Sequence, residues 1–388
     1  EQMQRPALIE VTLKPGANVD PRWPFAAVTG IADDGELDPL MQSPADSRER
    51  LAALITSPAN RRFPRVMVNR IWQRLMGVGL VEPVHDWDGS TASHPALLDW
   101  LAQELVEHGY DTRHVVRLIM TSDAYQREPL GQNPVTSPER RFFNAPERRR
   151  LSAEQIVDAL YAAVGVPMEI GELTFVHDGR RPLSNRQTLG RPSRAWMLSD
   201  LNNERDRPSL ALPQAQMVTD VLEAFGWTGA RQMPIAARLI EPNLLQPGVL
   251  GNGTLANNLT RAAEGSRLAQ LAVDAASPEG LVDELFLRLL SRYPQPGERA
   301  WFSEAIGEGF AERVVPESQR AIAEPLPALP KVTWFNHLRP DANTIQQEVE
   351  RRVRRGPPPD PRLDAEWREV YEDVAWSLIN HREFVWMP

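Results

Sequence analysis

Residues 61–128 read RRFPRVMVNRIWQRLMGVGLVEPVHDWDGSTASHPALLDWLAQELVEHGYDTRHVVRLIMTSDAYQRE, and this stretch decides the fold. Arg65 to Leu75 puts Val66, Ile71, Trp72 and Leu75 on one side of a helix and arginines on the other, and Gly77 and Gly79 end it. Ser93 precedes His94 and Pro95, and a proline in a first helical turn forfeits nothing because that N–H has no partner anyway. Leu97, Leu98, Leu101, Leu105 and Val106 recur at helical spacing until Gly109, a residue suited to the left-handed turn after a helix. Asp111 caps a third pattern carrying Val115, Leu118 and Ile119. The periodicity predicts three consecutive helices and carries no chemistry of its own.

The whole chain has 388 residues, 42% of them hydrophobic, with 35 prolines. That length makes one large or two modest domains. The proline content predicts a real core surrounded by extended segments. Net charge is −9, which argues against a nucleic-acid partner because such a partner requires a basic face. Lys14 and Lys331 are the only lysines, so arginine supplies nearly all the positive charge and suits bidentate contacts. Cysteine is absent, which excludes disulfides, covalent haem attachment through a Cys-x-x-Cys-His motif and thiolate metal sites. No run reaches the roughly 18 apolar residues of a membrane span.

Outward from the opening stretch, the chain predicts a mainly α fold. We expect an irregular multi-helix domain of about nine helices in two lobes, with long proline-rich extended segments and little β. Residues 1–45 form an extended N-terminal arm, with Leu8 to Leu13 as a short strand, and 46–128 form the first helical lobe. Residues 129–148 are a linker and 149–321 a second helical lobe with loops. Residues 322–362 are a proline-rich arm, and 363–388 a C-terminal helix packing back on the core. Within the second lobe, Ser152 and Gln155 make a capping box for a helix to Val164. Further helices run over 213–225, 265–276, 281–291, 298–310 and 364–380. Thr174 to Val176 is a candidate strand, and 226–258 is loop-rich.

Motifs with catalytic or metal-binding spacing are scarce. His85-Asp86-Trp87-Asp88-Gly89 starts like a calcium loop, but the glycine and glutamate of that pattern are missing, so a turn is expected. His94 is expected to hydrogen-bond its own loop. His108 and His114 flank Gly109 and can approach each other, yet no His-x-x-x-His or His-Glu-x-x-His spacing occurs, which argues against zinc. Nucleophile-elbow and phosphate-loop glycine patterns are absent. No catalytic residue, metal ligand or cofactor is assigned. The aromatic content is more informative. Trp72, Trp100 and Trp376 fall on amphipathic patterns and read as core, whereas Trp23, Phe25, Trp334, Phe335 and Trp386 sit in proline-rich or terminal segments. Those five are the interface candidates, because tryptophan with arginine is the composition of binding hot spots and proline preorders the backbone that presents them.

Four ordered blocks also carry a family resemblance: Asn69-Arg70-Ile71-Trp72, Gly77 to Val81, Ser93 to Asp99 and Leu118 to Tyr125. With Arg149 to Gln155, Glu284 to Arg292 and Ala375 to Phe384, they make nearly the whole chain resemble the planctomycete-type cytochrome-c-associated domain of unknown function, the PSD family. The resemblance implies an exported, periplasmic protein working beside electron-transfer machinery, here without any haem-binding domain. Relatives carry cysteine near residues 202–209 and this chain does not. The expected function is therefore a non-catalytic accessory or scaffold subunit. It would dock on the periplasmic face of a membrane electron-transfer assembly, a c-type cytochrome-containing respiratory or photosynthetic reaction-centre complex. Its partners would be protein subunits of that complex, a c-type cytochrome among them, with no membrane span of its own. The alternative is an exported hydrolase using His85, His94 and Asp99, or a carbohydrate-binding protein with Trp23 or Trp334 as a flat platform.

Overall fold

In the computed structural model, the described residues are 46–129, 141–170, 192–198, 208–227, 242–320, 326–332 and 336–386, together with 15–16, 23, 25–31, 35–43, 173–174 and 188–190. The strand expected over 8–13 and the segment 202–207 lie outside them. The fold is mainly helical, and the chain divides into an N-terminal unit of residues 1–147 and a C-terminal unit of residues 148–388.

The N-terminal unit is built from α1 (Ser47–Thr56), α2 (Arg62–Met76), α3 (Pro95–Glu107) and α4 (Thr112–Met120). Each start has a local cause. Asp46 accepts the Arg48 amide and Asp111 the Arg113 amide, both at 2.9 Å, replacing the partners that a first turn lacks. α3 instead begins at Pro95 after an uncapped His94. Ser93 is not its cap: both its amide (2.8 Å) and its hydroxyl (3.1 Å) donate to the Leu80 carbonyl. α2 packs against α3, and α4 packs against both. Their shared core is Val68, Trp72, Met76, Leu98, Leu101, Leu105, Val115 and Ile119, closed by Leu80 and Val81. The deep face of α2 is thus Val68, Trp72 and Met76, whereas Val66, Ile71 and Leu75 are half-buried flanks. Periodicity fixes the spacing of a stripe, and tertiary packing chose its centre. A smaller cluster of Leu37, Met41, Ala53 and Leu54 lies beside α1.

The C-terminal unit holds α5 (Ala153–Val164), a two-stranded antiparallel ribbon of β1 (Leu173–Thr174) and β2 (Thr188–Gly190), and α6 (Pro213–Ala224). After these come α7 (Leu245–Asn252), α8 (Thr254–Thr260), α9 (Arg267–Asp274), α10 (Pro278–Leu290), α11 (Pro296–Gly307), α12 (Ala342–Arg355) and α13 (Ala365–Ile379). The expected capping box is present on α5, with reciprocal bonds between Ser152 and Gln155. Asp364 accepts two amides at the start of α13, from Glu366 at 3.1 Å and Trp367 at 3.0 Å. The core joins Ile156, Val157 and Leu160 of α5 to Val218 and Leu222 of α6, Leu285 and Phe286 of α10, and Tyr371 and Leu378 of α13.

Two expectations need correction. Residues 226–258 are not simply loop, since α7 and α8 occupy 245–252 and 254–260. Residues 322–362 are not an extended arm: α12 fills the middle, and the end is pinned to the unit. The Asp360 amide donates to the Ala262 carbonyl (2.9 Å), and Val315 donates to the Arg362 carbonyl (2.8 Å). Arg313, 7% exposed, ties the same region together. It donates to the carbonyls of Ala272 (2.6 Å), Val273 (3.3 Å), Ala275 (2.5 Å) and Phe310 (2.7 Å), and its guanidinium lies 3.8 Å over the Phe310 ring.

Candidate functional site

The family-signature residues are structural clamps. Asn69 is fully buried, and its amide holds Val81 at both backbone groups, donating to the carbonyl and accepting from the N–H, each at 2.9 Å. That pair fixes the turn after α2, where a side chain at Gly79 would meet the Val81 carbonyl at 2.7 Å. Asp99 is exposed and pairs with Arg65 at 2.6 Å. Asn69, Ser93 and Asp99 of the signature are therefore engaged in holding α2, its turn and α3.

His85, His94 and Asp99 do not come together as a catalytic set. His85 is exposed, and the His94 ring sits with Nδ1 3.2 Å from the Ser93 hydroxyl and makes a T-shaped contact with Phe143, centroids 5.5 Å apart. The segment around Asp86 is the expected turn: Asp86 accepts the Asp88 amide at 3.2 Å, and the Trp87 indole donates to the Val84 carbonyl at 3.1 Å.

The aromatic candidates divide differently from expectation. Trp23 is half-buried against the cluster beside α1, and its indole donates to Thr29 at 3.1 Å. Phe25 is exposed and meets the Trp23 ring edge-on at 5.2 Å. Trp334 and Phe335 lie outside the described residues. Trp386 forms an antiparallel bridge with Arg150 and lines a cavity of about 550 Å³ with Leu151, Arg288, Glu383 and Phe384. Of the three tryptophans read as core, Trp72 is buried, but Trp100 on α3 is 47% exposed and Trp376 on α13 is 40% exposed. Among the described residues the most exposed tryptophans are others: Trp196 at 69% and Trp301 on α11 at 62%. Trp301 stands in a half-apolar helical pattern and Trp196 in a stretch without periodicity, so no signal of type or spacing marks either.

Beside the Trp386 cavity, Arg292 holds two carboxylates at once. It reaches Glu298 at 2.7 and 2.9 Å and Glu383 at 2.6 Å, joining the α10–α11 turn to the segment after α13. The Arg292 hydrogen bonds hold Glu298 down at about 2 and Glu383 below the usual carboxylate range, and the two carboxylates push Arg292 upward. Here the groups satisfy one another, which is the chemistry of a joint.

Among the described residues, one set of three metal-type donors converges: Glu104, His108 and His114, with ligating atoms within 4.8 Å of one another. Glu104 projects from α3, and His108 is the residue on which α3 ends. Gly109 and Tyr110 then both adopt positive φ (62° each), turning the chain so that His114, in the first turn of α4, lies over His108. In the sequence His108 and His114 are near enough to approach each other, but they lack the helical spacing of a zinc motif and nothing singles out Glu104 as their partner.

Residues 47–306 match the family described as PSD1, protein of unknown function (DUF1553). The match extends over more than half of the chain, and the chain belongs to that family. No curated protein and no solved structure matches it.

Proposed function

We propose that the chain is a non-catalytic accessory subunit that docks on a protein partner through tryptophans presented by rigid helices. The observation that carries this reading is the exposure of Trp301 on α11 (62%) and Trp100 on α3 (47%). A tryptophan on a formed helix brings a large contact area and loses little freedom on binding, which is why it recurs at hot spots. A net charge of −9 steers such a chain toward a basic face. Among the described residues no helix is long and apolar enough to cross a membrane, so attachment to a membrane assembly would run through the partner.

The partner we propose is the periplasmic face of a membrane electron-transfer assembly, either a respiratory complex containing a c-type cytochrome or a photosynthetic reaction-centre complex. What supports this choice is the resemblance of the signature blocks to domains that accompany cytochrome c. The test is gentle detergent extraction of the source membranes and separation by size, following the chain by mass spectrometry and haem or pigment by absorption. Co-migration with a haem- or pigment-bearing complex is the expected result. A chain migrating alone at its own size in the soluble periplasm overturns the proposal.

A further inference from the structure

The corner between α3 and α4 carries chemistry that neither the family match nor the docking reading uses. We propose that Glu104, His108 and His114 bind a divalent transition-metal ion, of which zinc is the representative, and that the ion staples α3 to α4. Donors sharing one tetrahedral zinc, each about 2.0–2.2 Å from it, lie roughly 3.3–3.5 Å apart. His114 Nε2 is 2.8 Å from Glu104 Oε2, and His108 Nδ1 is 3.5 Å from the same oxygen. All three donors fall within 4.8 Å, so the set is already near a coordination sphere.

The backbone supplies this proximity by two independent means. Glu104 and His108 are four apart and share one helix face. His114 arrives from the next helix through the Gly109–Tyr110 turn, held because Asp111 caps α4 and the Tyr110 hydroxyl donates to the Thr56 carbonyl at 2.8 Å. The remaining adjustment belongs to side chains. The two imidazoles now lie face to face, with centroids 3.6 Å apart and planes 15° from parallel. For both lone pairs to converge on one ion the rings must tilt, and His108 must release the Glu104 carbonyl, 2.9 Å from its Nδ1. His108 is exposed, so the rotation gives up only its stacking on His114 and that one hydrogen bond.

The donor set chooses the cation. Two imidazoles and one carboxylate suit zinc, copper or nickel, whereas calcium and magnesium prefer all-oxygen sets. Three protein ligands leave a fourth position to water. The site's effect would be mechanical: one ion bridging α3 and α4 in the folded chain stabilises that state over the unfolded one, where the three donors are apart.

The experiment is calorimetric titration of the untagged, metal-stripped full chain with Zn²⁺ alone, with thermal melting followed in parallel. We expect one ion per chain and a higher melting temperature. Affinity should drop roughly tenfold or more in each of His108→Ala, His114→Ala and Glu104→Gln, with His85→Ala unaffected. Glu104→Gln keeps a hydrogen-bond acceptor for His114 while removing the anionic ligand. Lost binding in that variant, with an unchanged metal-free melting temperature, separates ligation from folding. No stoichiometric uptake, or uptake equally strong in the two histidine variants, overturns the proposal, the latter marking an adventitious surface ion.

Discussion

Replacing Asn69 with alanine should unfold the N-terminal unit far more readily than the loss of one amide suggests. Asn69 is 0% exposed and Val81 is 2% exposed, so neither water nor another side chain takes over when the amide is gone. The Val81 N–H and C=O are both left unpaired in the core. An orphaned buried backbone group costs about 1–3 kcal/mol, so the pair sets a loss of roughly 2–6 kcal/mol. Domain stability totals only about 5–15 kcal/mol. With a urea dependence near 2 kcal/mol per molar, the midpoint of this unit should fall by roughly 1–3 M. Urea-dependent hydrogen exchange read by mass spectrometry, on peptides spanning 62–107, isolates this unit from the rest of the chain. Asn69→Asp is the sharper variant, since it still accepts from the Val81 N–H but turns an oxygen toward the Val81 carbonyl. A loss below about 1 kcal/mol in Asn69→Ala, or wild-type exchange in Asn69→Asp, would refute the clamp.

Three further outcomes follow from the same structure. Glu298 and Glu383 have folded values depressed below their usual 4.5, so their contribution to the C-terminal unit is complete above about 4.5 and drains away as the pH falls toward 2. Acid titration of the unit's unfolding should show that loss in the wild type and a shallower one in Arg292→Ala; parallel curves would remove Arg292 from the acid response. Gly165 has φ +73°, and a Cβ there would stand 2.5 Å from the Arg267 Cβ, so Gly165→Ala should cost about 1–3 kcal/mol in chemical denaturation. Gly248, inside α7 with nothing within 4 Å, should instead gain about 0.5–1 kcal/mol on the same change, and equal effects at both positions would contradict the steric argument. Trp301→Ala should leave stability within about 0.5 kcal/mol yet abolish co-migration with the partner complex; retained co-migration moves the docking face away from α11.

The helices that could be read from sequence are those with both a stripe and a stop. α3 has its leucines and Gly109, and α5 has its capping box and Gly165, so pattern and boundary agree. α7 and α8 were hidden by Gly248, Gly251 and Gly253, which read as loop, while burial of Leu250, Leu255 and Leu259 outweighed the glycine penalty. α12 was hidden among prolines, and its apolar stripe of Ala342, Ile345, Val349 and Val353 is narrow: only Ala342 is fully buried and the others are half-buried. Glu348–Arg352 (3.1 Å) and Glu350–Arg354 (2.7 Å), pairs one turn apart on its surface, add a little to that packing. The same limit governs the tryptophans. Periodicity puts Trp100 and Trp376 on helices but cannot say which side of the helix another element will cover. The donor cluster was half legible, because His108 and His114 stood out while Glu104 gained meaning only when the corner folded.

Arg313 carries a consequence of another kind. Its guanidinium is held by the carbonyls of Ala272, Val273, Ala275 and Phe310 and by an aromatic face, with no carboxylate among these partners. Dissolved ions compete with an ion pair that is partly open to solvent, but they have little access to dipoles packed around a cation that is 7% exposed. The C-terminal unit therefore fastens itself by two arginines, of which only one responds to ionic strength. Concentrated salt loosens the grip of Arg292 on its two glutamates, and it leaves the Arg313 joint as tight as in dilute buffer.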